Sequence, residues 1–149
     1  MQVQPYLFFE GRTEEALDFY TEAIGAKVGV KMHYKDAPPM EGGADKGCAG
    51  MAPPADKVMH SEFKVGNTSI LASDGMCSGK PNFTGVSLAL QVKDDSEARK
   101  VFDALAKDGQ VQQPLIKTFF ASSFGMLADK FGVSWMIVTA GPLDASASR

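Results

Sequence analysis

The chain has 149 residues, 44% apolar and 22% charged, which suits one globular domain over 1–149 with a sizeable core. A formal charge of −3 and a pI near 5.3, with both signs interspersed, supply no basic field for phosphates or anionic lipid, so nucleic acid and membrane are excluded as expected partners. No stretch approaches the roughly 18 apolar residues of a membrane helix, and Met1-Gln2-Val3-Gln4-Pro5 lacks the start of an export signal, so a cytoplasmic protein is expected.

In chain order, Gln4 to Phe9 reads as a buried strand broken by Gly11 and Arg12. A helix follows, with Thr13 as the expected cap, Glu14 and Glu15 in its first turn, an apolar stripe of Ala16, Leu17, Tyr20, Ala23 and Ile24, and Gly25 as its end. Lys27 to Tyr34 reads as a strand with His33, a surface residue, near its end. From Asp36 to Asp56 periodicity is lost among Pro and Gly, giving a long loop that is either a lid or a spacer.

Lys57 to Val65 and Thr68 to Ser73 read as a hairpin around Gly66-Asn67, whose two-residue turn pairs Val65 with Thr68, Glu62 with Leu71 and His60 with Ser73. Asp74 to Thr84 reads as a connector. The order then restarts with a strand at Val86 to Val92 and a helix from Asp94 to Asp108. That helix is opened by Asp94-x-x-Glu97, striped by Ala98, Val101, Phe102 and Leu105, and closed by Gly109. Strands are expected at Gln110 to Gln113, Phe119 to Ala128 and Val133 to Ala140.

The expected architecture is α+β: a βαβββ module over 4–73, a connector over 74–84, a second βαβββ module over 85–140, and a tail over 141–149. Each module presents a sheet with a helix on one face. The two sheets then form one cupped, largely antiparallel sheet around a pocket, with the helices outside. Cys48 and Cys77 lie in Gly-rich segments of a chain large enough to fold without staples, and both are expected to be free thiols.

Three segments carry a family resemblance: Glu15-Ala16-Leu17-Asp18-Phe19-Tyr20 with Ile24-Gly25, then Val58-Met59-His60-Ser61-Glu62-Phe63, then Phe124-Gly125 with Asp129-Lys130-Phe131-Gly132-Val133-Ser134-Trp135. Together they resemble the vicinal-oxygen-chelate superfamily of glyoxalase I, bleomycin-resistance proteins and extradiol dioxygenases, and its PhnB-like branch in particular, from Pro5 to Thr139. The resemblance implies the glyoxalase/bleomycin-resistance fold and a homodimer. Members related to this branch have carried a ubiquinone-methyltransferase label, yet neither half has the Gly-x-Gly turn from strand to helix that nucleotide-like cofactors usually need.

In the metal-dependent relatives each module supplies two ligands to one divalent ion. The resemblance places those positions at Pro5, about Leu71, Ser87 and about Met136. Proline and leucine carry no donor, serine is a poor one, and a thioether prefers soft ions, so no metal and no other cofactor is expected. The remaining candidates for chemistry are His60 and Glu62, two residues apart on one side of a strand, where a carboxylate can orient an imidazole or both can move protons. The alternative is that His60 is a hydrogen-bonded packing residue and Glu62 reaches solvent at the rim.

Leu71, Ser73, Ser87, Phe120 and Met136 are expected to line the pocket. Phe119, Phe120 and Trp135 suit either an aromatic wall or core. The leading functional expectation is a small-molecule-binding protein that takes an organic ligand without metal. A metal-independent isomerase or lyase using His60 and Glu62 as acid and base is one alternative. A divalent-metal enzyme with a displaced site is another.

Overall fold

A computed structural model describes residues 1–36 and 55–139. Most of the long loop, including Cys48, and the tail fall outside the described residues, and with them the lid and spacer readings. The chain divides into two compact units, Met1–Asn82 and Phe83–Arg149. Each follows the expected strand–helix–three-strand order.

The first unit comprises β1 (Tyr6–Phe8), α1 (Thr13–Ile24), β2 (Lys27–His33), a short 3-10 turn (Tyr34–Asp36), β3 (Val58–Val65) and β4 (Thr68–Ser73). Its sheet order is β1-β4-β3-β2, with β1 parallel to β4 and the other pairings antiparallel. The hairpin ladder runs from Val65–Thr68 through Glu62–Leu71 to Ser61–Ala72, the register a two-residue turn imposes.

One face of this sheet is covered by α1, whose buried side is Thr13, Ala16, Leu17 and Tyr20. Tyr20 stacks on Phe63 at 5.6 Å between centroids and also meets Phe9. Each such buried large side chain stabilises the fold by about 1.5–3 kcal/mol.

The helix start differs from expectation. Thr13 is the first helical residue and not the cap; the flanking position is Arg12, whose side chain makes no capping bond. The acceptor comes from far along the chain. Buried Asp74 takes the Thr13 N–H on Oδ1 at 2.8 Å and the Val58 N–H on Oδ2 at 2.7 Å. Residues after β4 fold back in the same way: Glu10 accepts from the Met76 and Ser78 amides, and Gly79 N–H donates to the Glu10 carbonyl. Cys77 in this segment is disulfide-bonded, which corrects the free-thiol expectation there.

The second unit comprises β5 (Leu88–Val92), α2 (Asp95–Ala106), β6 (Gln110–Ile116), β7 (Phe124–Ala128) and β8 (Ser134–Thr139). Its order, β5-β8-β7-β6, repeats the first sheet strand for strand, again with the first and last strands parallel. Asp94 caps α2 through the Glu97 amide, as the sequence suggests.

Gly109 does not end α2 by adopting a left-handed backbone; Asp108 does, at φ 60°. Gly109 is needed for close approach instead, since a Cβ there would lie 2.2 Å from the Ala128 carbonyl oxygen. The expected strand from Phe119 begins only at Phe124, because Thr118 closes a turn with Ala121. β6 runs on to Ile116 through Pro114, which an edge strand tolerates.

The Asp129-to-Trp135 segment is a built turn. The buried Asp129 carboxylate accepts the Phe131 and Val133 amides on Oδ1 and the Trp135 indole N–H on Oδ2. Trp135, Leu127 and Ile137 are core residues beneath α2, so Trp135 lines no pocket.

Candidate functional site

Period-two alternation leaves the face of the first sheet opposite α1 to β1, β3 and β4 side chains. Tyr6 pairs with Leu71, which pairs in turn with Glu62, so these three form one row; Phe8 and Ser73 belong to the neighbouring row. His60 and Glu62 share this face, as the sequence implies. Their polar partners differ.

The His60 imidazole meets the Tyr6 hydroxyl at 2.9 Å from Nδ1, with ring centroids 5.6 Å apart. The contact reaches over β4 from one flanking strand to the other. Glu62 is engaged by the Ser69 hydroxyl at 3.1 Å. The imidazole is therefore oriented by a phenol, and the carboxylate by a serine.

Phe8 extends the aromatic surface, 5.0 Å from the Tyr6 ring. Tyr6 and Phe8 remain 37% and 52% exposed, large side chains left uncovered on the edge strand β1. Leu71, opposite Tyr6 on β4, is half-buried, whereas Ser73 is buried and accepts the Gly75 amide.

In the second unit the open face holds Met136, Val138, Met126 and Phe124, paired across β7 and β8. Phe120 packs edge-on against Phe124 at 5.2 Å. Ser87, just ahead of β5, accepts a hydrogen bond from Ser134 at 3.2 Å. Phe119 is largely exposed.

Sequence reasoning did not anticipate a second polar cluster in this unit. Asp95 accepts from the Ser122 and Ser123 hydroxyls at 2.6 and 2.7 Å, and Ser122 also meets Thr139 Oγ1. These two hydroxyls, Ser122 first, hold the Asp95 carboxyl below its ordinary range. With Arg99, Leu115, Ile116 and Lys117 the cluster borders an open cleft of about 260 Å³. The hydroxyls tie the β6–β7 loop to the start of α2.

His33, expected as a surface residue, contacts two exposed carboxylates there. Its Nε2 meets Glu14, and its Nδ1 lies 3.5 Å from Asp36. The His33 contact depresses the Glu14 pKa, and the His33 backbone amide depresses that of Asp36. Because the two ring nitrogens address different carboxylates, these residues do not converge on one ion.

The residues at the superfamily's metal positions do not fit a divalent ion either. Pro5 has no side-chain donor and contributes its carbonyl to the Leu71 amide, Leu71 is aliphatic, and Met136 stands in an apolar row. Among the described residues no three His, Cys, Asp or Glu side chains are gathered as ligands. No helix among them is long and apolar enough to cross a membrane.

A family model described as 3-demethylubiquinone-9 3-methyltransferase matches residues 1–138. The chain belongs to this family. Within it, the chain is 33% identical over 138 residues to Protein YjdN of Escherichia coli K12, covering 92% of this chain and 94% of that protein. The structure of PA1353 from Pseudomonas aeruginosa is 35% identical, with a TM-score of 0.78 over 94% of this chain and 98% of that one. The PhnB protein of Bacillus cereus is 29% identical, with a TM-score of 0.74 over 94% of this chain and 100% of that one. The family is thus PhnB-like.

Fosfomycin resistance protein FosX of Mesorhizobium loti shares the fold at 9% identity, with a TM-score of 0.60 over 99% of this chain and 97% of that one. The expected glyoxalase/bleomycin-resistance fold is thus shown.

Tyr6 is the site residue that the sequence reading missed. Its signal is visible only once the first strand is laid beside the fourth: position 6 then stands opposite Leu71, within reach of His60.

Proposed function

We propose that this PhnB-like protein binds a small organic molecule on the open faces of its sheets, without the divalent ion of its metal-dependent relatives. The Tyr6–His60 pair beside exposed Phe8 carries this reading, because it joins apolar contact area to a positioned polar group, the combination that ligand sites use. Leu71 supplies further contact surface beside this pair; Phe120, Met136 and Ser87 give the second unit's open face its own candidate surface. Ser73 contributes shape more than an exposed hydroxyl.

Thermal shift across a panel of small organic compounds, with and without EDTA, tests the proposal. A ligand at a hundred times its Kd adds about 2.7 kcal/mol of stability, a Tm rise of roughly 5–10 °C for a chain of this size. The rise is expected to survive EDTA. A stoichiometric divalent ion whose removal abolishes binding would overturn it.

A second reading is favoured by the oriented imidazole: a metal-independent isomerase or lyase with His60 and Glu62 as acid and base. Turnover lost in His60→Ala with ligand binding intact would select it. A displaced metal site on His60 and Glu62 finds no further donors in Tyr6, Leu71 and Ser69, which are a phenol, an aliphatic and a hydroxyl already engaged.

The methyltransferase description of the family needs a place for a methyl donor. The β1–α1 junction is Phe9-Glu10-Gly11-Arg12 and the β5–α2 junction is Lys93-Asp94, and neither is the Gly-x-Gly turn that nucleotide-like cofactors usually need. Methyl transfer therefore forms no part of the proposed function. The proposal extends to a homodimer, as the superfamily resemblance implies, and to a cytoplasmic location, as the sequence reading expects.

A further inference from the structure

We infer that the open face of the first unit recognises an aromatic ring carrying a neutral oxygen acceptor, an aryl carbonyl compound, with Tyr6 and His60 as its anchors. This inference rests on the small-molecule reading above and assigns its ligand class. Three rings are contiguous on this face: Phe8 lies 5.0 Å from Tyr6, and Tyr6 lies 5.6 Å from His60, with tilts of 33° and 35°. The patch is exposed at Phe8 and Tyr6, so a flat ligand gains aromatic contact without displacing protein.

The polar half follows from proton placement. Assigning the Tyr6 hydroxyl as the donor to Nδ1 leaves the ring N–H at Nε2. The pair therefore offers an N–H donor at the edge of an aromatic surface, and its complement is an acceptor on a ring. Charge on the face selects a neutral acceptor. Glu62 lies on His60's own strand and same side, and it disfavours a carboxylate ligand beside His60. Lys64 and its cross-strand partner Lys27 lie farther along, beyond Glu62.

Tyr6 acts through His60 as a positioning residue. Removing its hydroxyl frees Nδ1 to carry the proton, so the tautomer is no longer fixed.

Acetophenone is the probe, read by long-range proton–nitrogen NMR of the His60 ring. Cyclohexyl methyl ketone and toluene each lack one half of the recognised group. Acetophenone is expected to shift the His60 ring nitrogens saturably, with both comparators binding several-fold more weakly. Tyr6→Phe should keep the rings, shift the free-protein Nδ1 and Nε2 signals toward a tautomer mixture, and weaken acetophenone in proportion to the Nε2–H fraction those signals show to be lost.

Acetophenone leaving the His60 nitrogens unmoved, or binding no better than cyclohexyl methyl ketone, overturns the assignment. So does a Tyr6→Phe protein with wild-type affinity and wild-type nitrogen shifts. Compounds outside this class raising Tm in the panel would leave the small-molecule reading standing while this one falls; a panel with no binder removes both.

Discussion

Removing the Asp74 side chain tests the claim that a residue beyond β4 caps a helix beginning 61 positions earlier. In the native protein the buried carboxylate serves two amides, Thr13 at 2.8 Å and Val58 at 2.7 Å. Asp74→Ala leaves both donors in a site closed to water. Bonds to a charged acceptor contribute about 1.5–3 kcal/mol each, so the loss of two is about 3–6 kcal/mol, or a Tm lower by roughly 10–20 °C. Asp74→Asn keeps one acceptor and turns an amide nitrogen toward the other donor, for a loss of about 2 kcal/mol.

Urea unfolding followed by far-UV circular dichroism gives the free energies, and amide hydrogen exchange at Thr13 and Val58 locates them. Both amides should lose protection in Asp74→Ala. A loss below about 1 kcal/mol in Asp74→Ala, or unchanged protection at both amides, would refute the reasoning.

Further outcomes follow from the second unit and from assembly. Asp129→Asn should lower stability by about 2 kcal/mol and change the emission of Trp135, the single tryptophan, whose indole N–H loses a carboxylate acceptor. Gly109→Ala should cost about 3 kcal/mol in the same urea assay, because the added methyl meets backbone atoms and not a flexible side chain. The Ser122→Ala/Ser123→Ala double variant removes the two donors that depress the Asp95 pKa. A depressed carboxyl stabilises the fold above its unfolded value of 3.8 and loses that contribution as pH falls through the folded value. The gap to wild type should therefore be full at pH 5 to 6 and close in acid, and a gap independent of pH would count against it. Light scattering after size-exclusion chromatography should give twice the 15.9 kDa chain mass, and a monomer mass would remove the dimer proposal.

Local rules read much of this fold directly. The Gly66-Asn67 turn fixed which β3 residue faces which β4 residue, and the Asp94 cap and the α2 stripe follow from spacing alone. What spacing could not supply was contact between distant segments. Asp74 looks like connector composition, yet it is an acceptor for residues far away in sequence; Ser122 and Ser123 look inert until α2 places Asp95 beside them. The site was legible to the same degree. Alternation put His60 and Glu62 on one face, but the partner of each came from pairing and reach across strands, and only the folded chain reveals that Tyr6 takes the imidazole while Ser69 takes the carboxylate.

The parallel pairing of β1 with β4, repeated by β5 with β8, brings the first and last strands of each unit side by side. In a parallel pair the start of one strand and the end of the other lie at opposite ends, so the chain leaves each unit a strand's length from where it entered. Two such units follow one another in the chain without any strand being threaded from one sheet into the other, and each keeps its own open face, phenol and imidazole on the first, thioether and phenyl on the second.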